Sequence, residues 1–398
     1  MHKYLPFKLD IKPSNKRSFG ISDYSSYQFI YFYQELNQFA LKVVHIIEAL
    51  GGGVYTYFND LSTYFGEDEI KSRIDTTIIY SANRKEIDKE KIKFEFSSNI
   101  NLVEINMLRS FSPFQDLKSV IRLTKELKKI NPDIIHLHSS KAGVLGRIAY
   151  FFLFKKKKLY YSPHGYSFLR TDISKSIRKI YWFIEKSIQA IFGGITIACG
   201  DTEFEIAKKI GNSKLVRNGV DIERIRENFV ETKNDKLTIG ILGRITYQKN
   251  PVLFNEIALN FPDFNFVWIG DGELNYLLTA PNIRITGWFF DRESILKELN
   301  SIDVYLQTSL WEGLPIAVLE AMALEKPVIA SNIIGNKDIV IHNETGFLFD
   351  EISDLEPYFQ TLSNAENRNL FAKKAFERCS ELFDKNKNFE ELVAIYKS

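Results

Sequence analysis

A chain of 398 residues is long enough for two domains with separate cores, and its 45% hydrophobic and 26% charged content excludes a disordered or fibrous polypeptide. No eighteen-residue apolar run and no compact signal-peptide core is present, so neither a spanning helix nor export is expected. The formal charge of +2 hides an asymmetry: residues 1–199 carry 30 Lys and Arg against 19 Asp and Glu, a net +11, and the remainder is net −9. Such a split suggests two lobes with different partners, the basic one facing an anionic surface. No nucleic-acid-binding motif accompanies the charge, so a phospholipid leaflet or a lipid-linked phosphate is the expected anion rather than nucleic acid. Cys199 and Cys379 stand in no metal or redox spacing, which fits buried thiols in a reducing cytoplasm.

In chain order, residues 1–38 are rich in Tyr, Phe, Ser and Lys without a period and read as an extension. The run Leu41–Leu50 reads as a buried strand, and Gly51, Gly52 and Gly53 turn it into a helix over Val54–Phe65. A parallel sheet uses such a turn to bring backbone close to a ligand at its carboxyl edge; a merely flexible turn is the other reading. Strands follow at Thr76–Tyr80, Asn101–Asn106 and Asp133–His138, with a helix over Pro113–Ile130, and this alternation argues for a parallel α/β layer. His136 and His138 lie two apart on a strand and share a face, but no third metal ligand is visible at useful spacing, so they read as structural or cleft-lining. Lys141, leading into a helix over Ala142–Phe154, is placed either to meet an acceptor phosphate or to sit in solvent.

An aromatic helix end followed by Lys155–Lys158 reads as a core-facing helix and a solvated turn, or as a membrane-surface patch. In the helix Ile173–Phe192, Ile173, Ile177, Ile180, Ile184, Ile188 and Ile191 recur at steps of three or four, with Lys175, Arg178, Lys179 and Lys186 between them. The pattern reads as a core stripe more readily than as a membrane face. Pro163-His164-Gly165 ends the strand Leu159–Ser162 and places His164 for a cleft. The strand Ile195–Cys199, a helix from Asp201 and the turn Asn218-Gly219-Val220-Asp221 close the first lobe. The charged stretch Glu223–Lys236 reads as linker and hinge.

The second lobe begins with the strand Leu237–Leu242. Arg244 and Lys249, five residues apart after that strand, could neutralise a pyrophosphate, Arg by a planar fork and Lys as a point charge; a solvated loop is the plainer alternative. A strand then ends in the turn Gly270-Asp271-Gly272-Glu273, whose acidic pair looks superficially like a metal-binding pair. From Ser309 to Ser331 the chain reads as a polar loop, a helix and a strand. Glu312 precedes that helix and Glu320 lies two turns inside it, up to roughly 12 Å away at 1.5 Å per residue, so the two carboxylates cannot share a proton. Between them Gly313, Leu314, Pro315 and Ile316 open the helix where unpaired amides and the dipole favour an anion. The helices Asp354–Leu362, Arg368–Leu382 and Phe389–Lys397 finish the chain.

The run EGLPIAVLEAMALEKPVIAS at 312–331, with NGVD at 218–221, Arg244 and Lys249 in order before it, resembles glycosyltransferase family four, retaining nucleotide-sugar transferases. The resemblance implies an α/β GT-B fold, two Rossmann-like parallel-sheet domains facing across a cleft. It implies an acceptor-binding domain over 39–222, a linker over 223–236, a donor-binding domain over 237–384 and a closing helix over 385–398 that crosses back to the first domain. By resemblance, Gly52 and Gly53 line the cleft, His164 meets the donor sugar, Arg244 and Lys249 grip the diphosphate, and Gly270 borders the nucleotide. The positions Gly287 and Trp288 match the segment that reads the base. Glu312 with Gly313–Ile316 orients the sugar, Glu320 holds the ribose, and His138 and Lys141 serve the acceptor. The implied function is transfer of a hexose or N-acetylhexosamine from a UDP-sugar to a lipid-linked saccharide in surface polysaccharide assembly, without metal or other cofactor, at the inner face of the plasma membrane. A nucleotide-sugar 2-epimerase of the same fold and a non-catalytic binding subunit are the alternatives.

Overall fold

The computed structural model describes residues 40–48, 50–83, 89–108, 110–153, 157–231, 234–289 and 291–398. The expected extension over 1–38, together with Phe154, Lys155 and Lys156, lies outside the described residues. Residues 41–398 form one compact unit built on two sheets, with every strand pair parallel. The first sheet contains β1 (Leu41–Ile47), β2 (Ile74–Tyr80), β3 (Asn101–Glu104), β4 (Ile134–His138), β5 (Lys158–Ser162), β6 (Ile195–Ala198) and β7 (Ser213–Leu215), in the order β3-β2-β1-β4-β5-β6-β7. The second contains β8 (Thr238–Leu242), β9 (Asn265–Ile269), β10 (Ile283–Ile285), β11 (Val304–Gln307), β12 (Val328–Ser331) and β13 (Gly346–Phe349), in the order β10-β9-β8-β11-β12-β13. Each order reverses beside its first strand, and ligands of such sheets bind outside the strands' carboxyl ends at that reversal.

Six helices position the site: α1 (Gly53–Gly66), α2 (Pro113–Ile130), α3 (Lys175–Phe192), α4 (Arg292–Asn300), α5 (Ile316–Ala323) and α6 (Lys385–Lys397). The central strands read as continuous apolar runs because both faces are covered. On one face of the first sheet Val44, Ile46, Ile135 and Leu137 pack with Val120, Leu123 and Leu127 of α2. On the other, Val43, Ile47 and Ile134 pack with Phe58 and Phe65 of α1 and with Phe389, Leu392, Val393 and Tyr396 of α6. The last helix therefore completes the core of the first lobe.

The two passages between lobes are tied side by side. Val220 N–H donates to Phe383 O at 2.9 Å, Lys385 N–H donates to Val220 O at 3.1 Å, and Lys385 Nζ lies 2.8 Å from Asp221 Oδ2. Burial works to raise the Asp221 carboxyl, but the Lys385 ammonium and the Arg224 amide overcome it and hold the group below the usual range. Asp221 also accepts from Arg224 N–H, capping a short helix over Ile222–Arg226, so the stretch expected as linker begins with helical structure.

Helix α3 departs from expectation. Its isoleucines do not form a core stripe: Ile180 is 56% and Ile191 71% exposed, with Ile177, Trp182, Phe183 and Ile184 also exposed. The polar face turns inward instead. Glu185 Oε1 accepts from Ser140 and Tyr161, and Gln189 Oε1 accepts from the buried Arg147 guanidinium at 2.8 Å. Periodicity located the stripe correctly but could not say which way it faced, because three polar partners from elsewhere in the chain hold the opposite side.

Candidate active site

The carboxyl ends of β8 and β11 deliver the polar centre of the second lobe. After β8 the chain makes a short 3-10 turn over Tyr247–Lys249, and it is stitched to the loop after β11 by Leu310 N–H to Gln248 O and Thr308 Oγ1 to Lys249 O. These bonds bring Lys249 Nζ to 2.9 Å from Glu312 Oε1. The same carboxylate accepts from Ser309 Oγ at 2.7 Å, Gln307 Nε2 at 3.1 Å and Gln248 Nε2 at 3.2 Å. Glu312 is 9% exposed, so a fixed set of donors rather than solvent orients its carboxylate. Arg244 follows Gly243 at the same strand end and is exposed, and a Cβ on Gly243 would lie 3.1 Å from Lys249 Cε.

Gly313, Leu314 and Pro315 lead from Glu312 into α5, and the two lobes touch here. A Cβ on Gly313 would stand 2.8 Å from Gly165 N and 2.9 Å from His164 O, an approach only glycine permits. Gly52, at φ 57°, caps the start of α1, and a Cβ on Gly53 would meet Ile316 Cγ1 at 3.4 Å. The amino termini of α1 and α5 thus face each other across the cleft beside Lys249, a concentration of positive potential suited to an anion. Gly270 packs against the Gly243 carbonyl and pairs with Gly287, and Trp288 beyond it is 59% exposed.

Glu320 lies apart from this group. Its carboxylate is 5% exposed and sits 2.9 Å from Arg292 of α4, whose Nη1 donates to Thr56 Oγ1 of α1 at 3.1 Å. Burial raises the Glu320 carboxyl, and Arg292 offsets that only in part. No pattern marked Arg292 in advance, since a basic residue at a helix start ordinarily reads as solvated. Gln248, Gln307, Ser309 and Thr56 were likewise invisible, because uncharged polar residues in loops carry no pattern.

The two residues expected at the acceptor are engaged within the first lobe. Lys141 Nζ is 2.6 Å from Asp116 Oδ2 and donates to Ser110 O. His138 is fully buried, so a direct acceptor contact from its side chain does not hold. Register pairs His45 of β1 with His136 of β4, and His138 follows on the same face, so three tilted rings lie together on one face of the first sheet. His138 Nε2 lies 3.0 Å from His45 Nδ1 and its Nδ1 lies 2.9 Å from Nε2 of the partly exposed His164. His136 is bonded to Ser162 Oγ and the Tyr396 hydroxyl. Burial depresses all four rings, His45 to about 3 and His164 to about 4, so they are neutral near pH 7.

His45, His136 and His138 bring ring nitrogens within 4.8 Å of one another, the third candidate ligand that spacing could not show because it lies 93 residues from His138. Among the described residues, every ring nitrogen of the three except His45 Nε2 has a hydrogen-bond partner within the protein.

Comparison with known proteins agrees with this architecture. The profile for Glycosyltransferase Family 4 matches residues 51–224, and that for Glycosyl transferases group 1 matches residues 221–378. The chain is 33% identical over 324 residues to the Escherichia coli UDP-Gal:alpha-D-GlcNAc-diphosphoundecaprenol alpha-1,3-galactosyltransferase, covering 73% of this chain and 81% of that one. It is 25% identical to the Staphylococcus aureus capsular polysaccharide biosynthesis glycosyltransferase CapM, covering 73% and 83% of the two chains. Anabaena HepE, solved in complex with UDP and glucose, superposes with a TM-score of 0.69 at 18% identity, over 90% of this chain and all of that one. Two parallel-sheet lobes meeting at glycines, with matches to both family profiles and to a relative of this identity and coverage, establish that the chain belongs to the family 4, group 1 glycosyltransferases of the GT-B fold.

Proposed function

We propose that this enzyme transfers a hexose or N-acetylhexosamine, with retention, from a UDP-sugar to a lipid-linked saccharide during surface polysaccharide assembly. The carrying observation is the Lys249–Glu312 pair at the mouth of two opposed helix amino termini. Lys249 and Arg244 hold the diphosphate and stabilise the charge that develops on it as the anomeric carbon–oxygen bond breaks. The bond's electron pair leaves with the phosphate, the acceptor oxygen bonds the anomeric carbon on the same face, and the acceptor proton passes to a departing phosphate oxygen. Glu312 and the amides of Gly313–Ile316 orient the sugar, His164 borders it from the first lobe, and Gly270 and Trp288 flank the nucleotide. Glu320 reaches the ribose on exchanging part of its contact with Arg292. Support for the donor and acceptor classes comes from the relatives: the E. coli enzyme's name carries UDP-Gal and a diphosphoundecaprenol acceptor, and HepE was solved with UDP.

No metal enters this mechanism, since two cations and two helix termini supply the charge, and five of the six ring nitrogens of the clustered histidines are bonded to one another or to His164, Ser162 and Tyr396. The test is a screen of UDP-sugars for thermal stabilisation, followed by transfer to a diphosphate-linked saccharide with and without EDTA. Stabilisation by a UDP-sugar and EDTA-resistant transfer are expected; an epimerised donor formed without acceptor, or loss of transfer with EDTA, would overturn the respective part.

The same proposal sets the enzyme on an anionic membrane surface through its basic lobe. Among the described residues no helix is long and apolar enough to cross a membrane. The outward face of α3, with Ile180, Phe183, Ile184 and Ile191 between exposed Lys175, Lys179 and Lys186, suits insertion at headgroup depth. Of the lysine run, Lys157 donates to Asn131 Oδ1 and Lys158 to the Tyr396 carbonyl. Replacing Ile180 and Phe183 together by Ser should weaken cosedimentation with anionic vesicles by about tenfold or more, from the loss of two buried apolar side chains. Undiminished binding would remove α3 as the docking face.

A further inference from the structure

The row His45–His138–His164 does more than fill a core. Two contacts join the three rings, His45 Nδ1 to His138 Nε2 at 3.0 Å and His138 Nδ1 to His164 Nε2 at 2.9 Å. The row ends inward at His45 Nε2, which is fully buried and has no hydrogen-bond partner among the described residues, against the rings of Phe58 and Phe65. It ends outward at His164, which is partly exposed, holds a left-handed φ of 50°, and lies where the first lobe meets Gly313. His136 stands outside the row. Ser162 Oγ donates to Ile197 O, so it accepts from His136 Nε2–H, leaving His136 Nδ1 to accept from the Tyr396 hydroxyl.

Three neutral imidazoles carry three N–H protons, and the two contacts use two of them. Because His138 has only one proton, both bonds must run in the same direction, and the third proton sits at one end of the row. If it sat on His45 Nε2, an N–H would be buried without an acceptor, the rarer and costlier kind of unsatisfied group. If it sits on His164 Nδ1, it faces the cleft, where water or a ligand oxygen accepts it, and only a lone pair remains against the aromatic edges. The second arrangement has His45 donating to His138 and His138 donating to His164. The row cannot conduct protons, because its inner end leads to no acceptor or donor.

We propose that His45 and His138 are positioning residues that lock His164 as its Nδ1–H tautomer, so that His164 offers the cleft a hydrogen-bond donor and not a base. The consequence for transfer rests on the reading of His164 as a residue of the donor site. The tautomer itself does not, because it is read without donor or acceptor. A His164 that donates can hold a sugar or phosphate oxygen, and it leaves the acceptor proton to the departing phosphate.

The experiment is two-bond nitrogen–proton NMR on the full chain with 15N-labelled histidine near pH 7, the His164 signals being assigned by their loss in His164→Ala. The wild type should show His164 protonated at Nδ1; a ring protonated at Nε2 would overturn the proposal whatever the transfer activity. In His45→Leu the lock is released, and His164 should become a mixture of tautomers while kcat falls about tenfold, the equivalent of one hydrogen bond, with KM for the donor little changed. His45→Asn, whose amide can donate from the position of Nδ1, should restore both readouts. An unmoved His164 tautomer in folded His45→Leu would overturn the role of His45, and if that variant does not fold, the wild-type spectrum alone decides.

Discussion

Lys249→Ala should lower kcat for sugar transfer by about 10²- to 10³-fold, the usual cost of removing one preorganised donor from a developing oxyanion. The side chain is 15% exposed and spends its ammonium on Glu312, so its loss also leaves that carboxylate without its cation. Gln248, Gln307 and Ser309 continue to donate to Glu312, and these three bonds should keep the loop in place. The fold should therefore survive, with circular dichroism and the unfolding midpoint close to the parent. Lys249→Arg should recover only part of the rate, because a planar fork does not reproduce a compact charge against the same carboxylate. Near-normal turnover by a folded Lys249→Ala would remove the residue from the diphosphate site.

The buried histidines should make the first lobe sensitive to mild acid. Burial lowers the folded pKa of His45 to about 3 against an unfolded value of 6.5, and His136 and His138 are depressed in the same direction by burial and by neighbouring imidazoles. A lowered folded value means that the unfolded chain takes up protons first as the pH falls. The stability contributed by the neutral rings is thus complete above about pH 6.5 and declines below it, toward the folded values, at up to about 1.4 kcal/mol per pH unit and ring. For His45 the gross loss between about pH 7.5 and about pH 5.5 is about 1.4 kcal/mol, and His136 and His138 act in the same direction. Burial raises Glu203 and Glu320, which act in the opposite sense, so the histidine part is best isolated as a difference. Urea unfolding of wild type and His45→Leu at both pH values should show the wild type losing about 1.4 kcal/mol more than the variant over that interval. Equal losses would mean that His45 does not resist protonation in the folded state.

How much of this was readable in advance follows from what each signal encodes. Most of the parallel strands declared themselves as short apolar runs, while β7, β10 and β11 went uncalled, and α2 was bounded correctly at Pro113 and Ile130 because a proline start and a left-handed Asn131 are local features. The helix within 312–331 was equally legible from its apolar spacing. Direction was not: the isoleucines of α3 recur as they would on a buried face, and only Arg147, Tyr161 and Ser140, distant in sequence, turn that face outward. Pairings across the fold were also hidden. His45 sits in an apolar strand with nothing nearby to suggest a partner, and register alone brings it against His136 and within reach of His138. Arg292 and Glu320 are each ordinary helix residues until α4 and α5 lie side by side with Thr56.

The central claim is that the cations after β8 and the opposed amino termini of α1 and α5 form one anion site for an activated sugar's diphosphate. A crystal structure of the enzyme with UDP tests it most directly. The account predicts the β-phosphate within hydrogen-bond reach of Lys249 Nζ and the Arg244 guanidinium, at the backbone amides that open α1 and α5. Phosphates bound elsewhere, with Lys249 still held only by Glu312, would contradict it.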